Sequence, residues 1–278
     1  MSVAAFFQAV VGPGTEVLQP LPASASAWSS DHLRGMAVSG ALARATEQVA
    51  DRVVPEMRPV RWNVDLFRPA QCRPAAVSTS VIRHGRRIGV IDAELRQEGR
   101  TVARSRALFA LATETPAGEV WHSDHAVLPP PADLPPRDGE ARLYYSQQRG
   151  WSADAGPHHN GSRKRIWCFP VAVVEGERPT PFQLTAAVAD LASLTVNWGS
   201  AGLRFINTDI DLLLTRLPAR MELGLTAIDR MESGGISAGT VVVFDRDGPF
   251  GSVSVIALAN CGRRADPGNG VRPEGSRQ

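Results

Sequence analysis

Cysteine is scarce in this 278-residue sequence: Cys72, Cys168 and Cys261 are the three, far apart and in no Cys-x-x-Cys spacing. An odd set of isolated thiols argues against a disulfide framework and a zinc site, and predicts free thiols in a reducing compartment. Long hydrophobic runs are missing too; no window offers some 18 uninterrupted apolar residues, so no membrane-spanning helix is expected. The apolar start at residues 4–11 has no Lys or Arg before it and so lacks the basic segment of a secretory signal. Charge of one sign is lacking as well: 30 basic and 28 acidic residues leave a net +2, which makes no case for nucleic acid. These absences predict a cytoplasmic protein with no membrane and no nucleic-acid partner.

What is present is an ordinary globular composition, 43% hydrophobic and 21% charged, which excludes a collagen, a coiled coil or a mostly disordered chain. The length exceeds one typical domain of roughly 100–150 residues, so one large or two small domains are expected.

Residues 4–11 read as a strand closed by Gly12-Pro13-Gly14. A helix is predicted to open near residues 30–34, because Val38, Ala41, Leu42, Ala45 and Val49 recur at helical spacing, and Pro55 closes the region. Gly35, Gly40 and many alanines make this helix thin, which suits a wrapped sheet or a ligand at the helix start. Free N–H groups there can polarise a carbonyl, with His32 as an assisting donor or merely a cap. From Arg58 the pattern turns to period two, with turns at Arg68-Pro69, around His84-Gly85 and at Glu98-Gly99. Residues 116–163 lack periodicity and read as a linker. Trp121-His122-Ser123-Asp124-His125 and His158-His159 lie in it, without the further ligands a metal needs, so no metal is predicted.

The second half repeats the order. A strand at 165–171 precedes residues 179–200, which read as one helix: Leu184, Val188, Leu191 and Thr195 form its buried stripe. Asp190 falls at the edge of that stripe with small or apolar neighbours and no cationic i±4 partner. It is either a half-exposed acid on the helix shoulder or a working carboxylate. A second meander runs through Ala259, and setting Glu98-Gly99 on Asp247-Gly248 aligns residues 91–110 with 240–259 without a gap. Two units over 1–115 and 164–262 are therefore expected, followed by a disordered Gly-, Pro- and Arg-rich tail at 263–278.

Trp28 before the small-residue helix, Arg58-Pro59-Val60 leading to residues 64–70, the stretch around Asp190, and residues 207–216 leading to 244–252 occur in an order that resembles the double hotdog acyl-CoA thioesterase II family. The resemblance covers most of residues 4–262. It implies an α+β fold, a double hotdog made of two tandem repeats of a long helix wrapped by a curved antiparallel sheet. It also implies hydrolysis of an acyl-CoA or carrier-bound thioester, with coenzyme A entering only as part of the substrate, and a homodimer.

In that family a helix Asp, a Ser or Thr on the next strand and a Gln on the last strand orient a water against the thioester carbonyl. Carried over, Asp190 retains the acid. The hydroxyl position falls on Asn207, with Thr208 beside it, and the Gln position falls on Ile256, which has no polar group. The resemblance thus implies Asp190, Asn207 and Thr208 as catalytic groups, and His32, Gly35, Met36 and Ile256 as substrate-binding. The first helix has no acid on its apolar face, so one site per chain is expected. Two basic clusters, Arg83 with Arg86 and Arg163 with Lys164, are candidates for the coenzyme A phosphates. The alternatives are a catalytically silent acyl-thioester binding protein and another hotdog reaction on a thioester. A hotdog dehydratase is disfavoured, because it needs an Asp and a His some five residues apart and Asp31-His32 are adjacent.

Overall fold

The computed structural model describes residues 4–12, 15–123, 127–137, 141–260, 262 and 265. The first half runs β1 (Ala5–Gly12), β2 (Thr15–Pro20), α1 (Gly35–Val53), β3 (Met57–Leu66), β4 (Ala76–His84), β5 (Ile88–Gln97) and β6 (Arg100–Leu111). The second begins with β7 (Arg142–Ser146), β8 (Gly150–Ser152), β9 (Lys164–Cys168), β10 (Ala172–Val174), α2 (Pro181–Ala189) and α3 (Ala192–Asn197). It closes with β11 (Trp198–Gly199), β12 (Gly202–Leu203), β13 (Phe205–Asn207), β14 (Asp209–Leu214), β15 (Leu223–Ser233), β16 (Ile236–Asp245) and β17 (Gly248–Ala259).

The expected repeat is visible as β3-β4-β5-β6 against β14-β15-β16-β17. The last hairpin of the first unit turns at Glu98-Gly99, as expected, and both residues take positive φ, the mirror-image turn that two-residue hairpins favour. The last hairpin of the second unit turns at Arg246-Asp247, one residue before the Asp247-Gly248 of the alignment. Antiparallel pairing of β3 with β14 (Val64 opposite Ile210, Trp62 opposite Leu212) merges the two units into one sheet, ordered β4-β5-β6-β3-β14-β17-β16-β15-β9-β7-β8. A smaller sheet, β10-β1-β2, ties the N-terminal strand in parallel to the second half.

Buried apolar residues of α1, α2 and α3 share one core with the inward rows of both units. The thin α1 packs antiparallel on α2: Ser39 Oγ donates to the Ala186 carbonyl at 2.6 Å, and Gly40 lies over Ala187 and Val173. Trp62, fully buried, donates from Nε1 to Ser39 Oγ at 3.0 Å and pins the sheet on the helix pair.

Three expectations need correction. The helix over 179–200 is two helices, broken at Asp190-Leu191. There the backbone tightens: Asp190 N–H reaches Ala187 O at 3.3 Å, Leu191 N–H reaches Val188 O at 2.9 Å, and these i−3 bonds replace the α pattern. The stretch read as a linker contributes β7 and β8 to the sheet, because Leu143 and Tyr144 bury alternately against β9; Asp124 and His125 lie outside the described residues. Most of the expected tail also lies outside them, but Ala265 is buried and exchanges two backbone hydrogen bonds with Leu203. Among the described residues no helix is long and apolar enough to cross a membrane, and no cluster of His, Cys, Asp and Glu suits a metal ion.

One charged group lies within the helix packing. The Arg44 guanidinium, 5% exposed, is forked between Glu16 and Glu177 at 2.6 Å each, joining α1 to β2 and to the turn before α2. Removing both carboxylates would strand a buried cation, whereas an apolar replacement of Arg44 would not. Glu16→Gln with Glu177→Gln is therefore expected to cost about 3 kcal/mol, the low end for a buried pair because water reaches both carboxylates. Urea unfolding of that double variant beside Arg44→Met checks it; an equal loss in both would refute the charge argument.

Candidate active site

The break after α2 gives Asp190 its position. It turns the carboxylate toward the N-terminus of α1, where the Met36 backbone N–H donates to it. Gly35 has no side chain to stand in the way; a Cβ there would overlap the Asp190 carboxylate. Asn207 at the end of β13 donates from Nδ2 to Asp190 Oδ1 at 3.0 Å. The pairing of Asn207 with Ala257 and of Asp211 with Ser254 differs by one residue in register, so a bulge lies between β13 and β14. That bulge aims Asn207 inward.

Protein encloses Asp190 except where it opens into a cavity of about 330 Å³. Burial pushes its carboxyl above the usual aspartate range; the Asn207 amide, the Met36 N–H and the charges of Arg34 and Arg142 oppose that shift without cancelling it. Such a carboxylate is a better proton acceptor than a solvated one. The Gly35 N–H, also at the cavity, has no acceptor among the described residues, since the first N–H of a helix has no partner within it. Asp190, Asn207 and Gly35 therefore line one cavity, whose wall also includes the apolar Leu66, Val102, Leu194 and Phe205.

Two domain families match this sequence: the acyl-CoA thioesterase N-terminal domain over residues 24–110 and the acyl-CoA thioesterase C-terminal domain over residues 123–254. The chain belongs to the acyl-CoA thioesterase family. The second match starts inside the stretch read as a linker, in keeping with β7 and β8 being part of that unit. A TesB protein of Mycobacterium avium subspecies paratuberculosis is similar in structure, with a TM-score of 0.63 at 16% identity over 91% of this chain and 96% of that one. An acyl-CoA thioesterase II of Mycobacterium marinum aligns with a TM-score of 0.59 at 18% identity over 86% and 93%. A hot dog fold protein of Alicyclobacillus acidocaldarius gives 0.63 at 15% identity over 90% and 95%. At these identities the likeness establishes the fold, an α+β double hotdog. No functionally curated protein matches the sequence.

Within this family member, Asp190, Asn207, Gly35, Met36 and His32 line one cavity, together with Trp28. Thr208 also lines it, but its hydroxyl donates to the Ile256 carbonyl at 3.2 Å and is turned to the sheet backbone. Ile256 does not join them. It is 39% exposed on the outer face of β17, where Val255 and Ala257 are the buried residues. Period-two alternation makes an alignment one residue off point to the wrong side.

Lys164 is no surface cation either. It is 1% exposed, and its Nζ donates to Asn160 O at 2.8 Å, Asn160 Oδ1 at 3.1 Å and Ser162 O at 2.6 Å, which uses all three of its protons; burial lowers its pKa to about 8. Arg83 and Arg86 are exposed at the β4–β5 turn and do not line this cavity. Two residues escaped the sequence reading. Ser193, one helical turn after Asp190, lines the cavity with its Oγ buried and without a partner among the described residues; its i+3 spacing from Asp190 was the available signal. Glu47 is an acid on the inner side of α1, accepting from Thr180 Oγ1 and Gln183 Nε2 at 2.8 Å at the start of α2, and burial raises its pKa.

Gly35→Ala tests the geometry without any substrate. Replacing an exposed helical Gly by Ala gains about 0.5–1 kcal/mol, so thermal unfolding of this variant at a higher temperature than wild type would refute the overlap with Asp190. A loss of about 1–3 kcal/mol is expected, as for other overpacked sites.

Proposed function

We propose that the protein hydrolyses an acyl-CoA or carrier-bound thioester through a water oriented by Asp190. The observation that carries this reading is the Asp190 carboxylate, held by Asn207 against the start of α1 at Gly35 and lining a cavity with apolar walls. The acyl chain occupies the chamber and the thioester carbonyl oxygen lies against the Gly35 N–H, at the positive end of the α1 dipole. Asp190 takes a proton from water as the water oxygen attacks the carbonyl carbon. The tetrahedral intermediate then collapses, the C–S bond breaks, and sulfur leaves as a thiolate that needs no obligatory acid. Asn207 holds Asp190 in register. Coenzyme A takes part only as substrate.

The silent-binder alternative is favoured by one fact: on β17 the buried neighbours of Ile256, Val255 and Ala257, have no polar group either. Against it stands Asp190, a carboxylate whose burial is opposed by the Asn207 amide and the Met36 N–H without being cancelled. The same reading carries the expectation of a homodimer, supported by Leu213, Met231, Ile236 and Leu258 exposed on the outer sheet face. Light scattering that finds only monomer would remove it.

Thiol release from short, long, aromatic and polycyclic acyl-CoAs is the decisive assay. Asp190→Ala should lower kcat about 10²–10⁴-fold while binding persists; turnover indifferent to Asp190 would sink the proposal. The base works deprotonated and its pKa lies above the ordinary range, so activity should fall on the acid side at a pH above about 3.9. Asn207→Ala removes a bond that favours the charged form, so that limb should move to higher pH. A limb that moves down or stays put would rule out Asn207 as the group tuning Asp190.

A further inference from the structure

The cavity that holds Asp190 has a wall contributed by the far end of the chain. Past β17 the backbone runs beside the stretch that leads into β13, where Asn260 N–H donates to Arg204 O at 2.8 Å. Ala265 then pairs antiparallel with Leu203: its N–H donates to Leu203 O at 3.2 Å, and its carbonyl accepts from Leu203 N–H at 3.3 Å. Ala265 is 2% exposed, and a backbone buried to that degree needs both of its polar groups paired; Leu203 supplies both partners. Ala265 and Leu203 both line the cavity. The hydrolysis proposed above leaves this wall without a role, and the family match, which ends at residue 254, does not reach it.

The wall limits what the cavity admits. Leu203, Phe205 and Asn207 are alternate residues of one stretch, and all line the cavity. Ala265 is therefore seated at one end of that stretch, and the amide that holds Asp190 stands at the other. Four extended residues span at most about 14 Å, which bounds the run from the reacting end to the wall. Ala265 belongs to the same buried apolar cluster as Leu191, Leu194 and Leu203, so its methyl is packed in place. The volume of about 330 Å³ must also admit the thioester itself, and it lies at the small end of ligand pockets, roughly 300–1,000 Å³.

We propose that Ala265, held on Leu203, closes the acyl end of the cavity and restricts the protein to thioesters of short acyl groups. The inference rests on the thioester reading and adds the size of the acyl group and the residue that sets it. A short chain ends before the wall and buries its whole length. A long one must displace Ala265, which breaks two backbone hydrogen bonds and leaves buried polar groups unpaired.

The readout is the ratio of kcat/KM for a longer to a shorter acyl group, taken over straight-chain acyl-CoAs from acetyl to palmitoyl. Wild type should favour the short end. Ala265→Leu should lower the ratio about tenfold or more, the effect of a methylene too many in a closed apolar pocket. Ala265→Gly should raise it roughly fourfold, the worth of one CH₂ of room. A wild type that prefers palmitoyl overturns the assignment, as does a ratio that either folded variant fails to shift in the stated direction. Should Ala265→Leu not fold, as judged by thermal unfolding, Ala265→Gly decides alone. If wild type hydrolyses no thioester, it is the hydrolytic reading that fails, and the wall is tested by calorimetry with fatty acids from butanoate to palmitate. A length limit that moves to longer acids in Ala265→Gly sustains it; the same limit in both proteins, or no binding, overturns it.

Discussion

The contact between the Asp190 carboxylate and the first turn of α1 is the constraint from which the rest of the site follows. Gly35 is needed because any side chain would occupy the carboxylate's place. The break between α2 and α3 is needed because an unbroken helix would carry Asp190 along its flank. The bulge after Asn207 is needed to bring the amide within 3.0 Å of Oδ1. The glycine lies in the first half of the chain and the break and the bulge in the second; burial at their junction raises the proton affinity of Asp190, and the Asn207 amide moderates that rise.

The helix pair carries this arrangement twice, with opposite outcomes. At one end of the α1–α2 contact Asp190 meets the start of α1; at the other, Glu47 meets the start of α2. The second carboxylate accepts from Thr180 and Gln183 and joins the two helices as a clasp. The first keeps an open side.

The sequence made the architecture legible because its evidence was periodic. Helical spacing located α1, alternation located the meanders, and a gapless match of two hairpins revealed the repeat. It also placed Asp190 against Gly35 and Met36, through the family resemblance. What it concealed was local. Ile256 was one residue off the inward register, and alternation turns such an offset into the opposite face. Lys164 read as a candidate for the coenzyme A phosphates, but a cage of oxygens contributed by Asn160 and Ser162 takes up its protons. Glu47 was passed over because its partners lie on the other helix, where no spacing rule within α1 reveals them.

The β3–β14 seam and the parallel β1–β10 pairing also order events in time. When the first unit has been synthesised, β3 and β1 each present an unpaired edge, and their partners follow only after the whole intervening stretch has been made, on the order of ten seconds later. During that interval α1 exposes the first-turn N–H groups that Asp190 will later meet. The nascent half is an open-edged sheet, a target for pairing with other chains or for chaperone capture. The active site is thus among the last features to form, closed by the same step that seals the sheet.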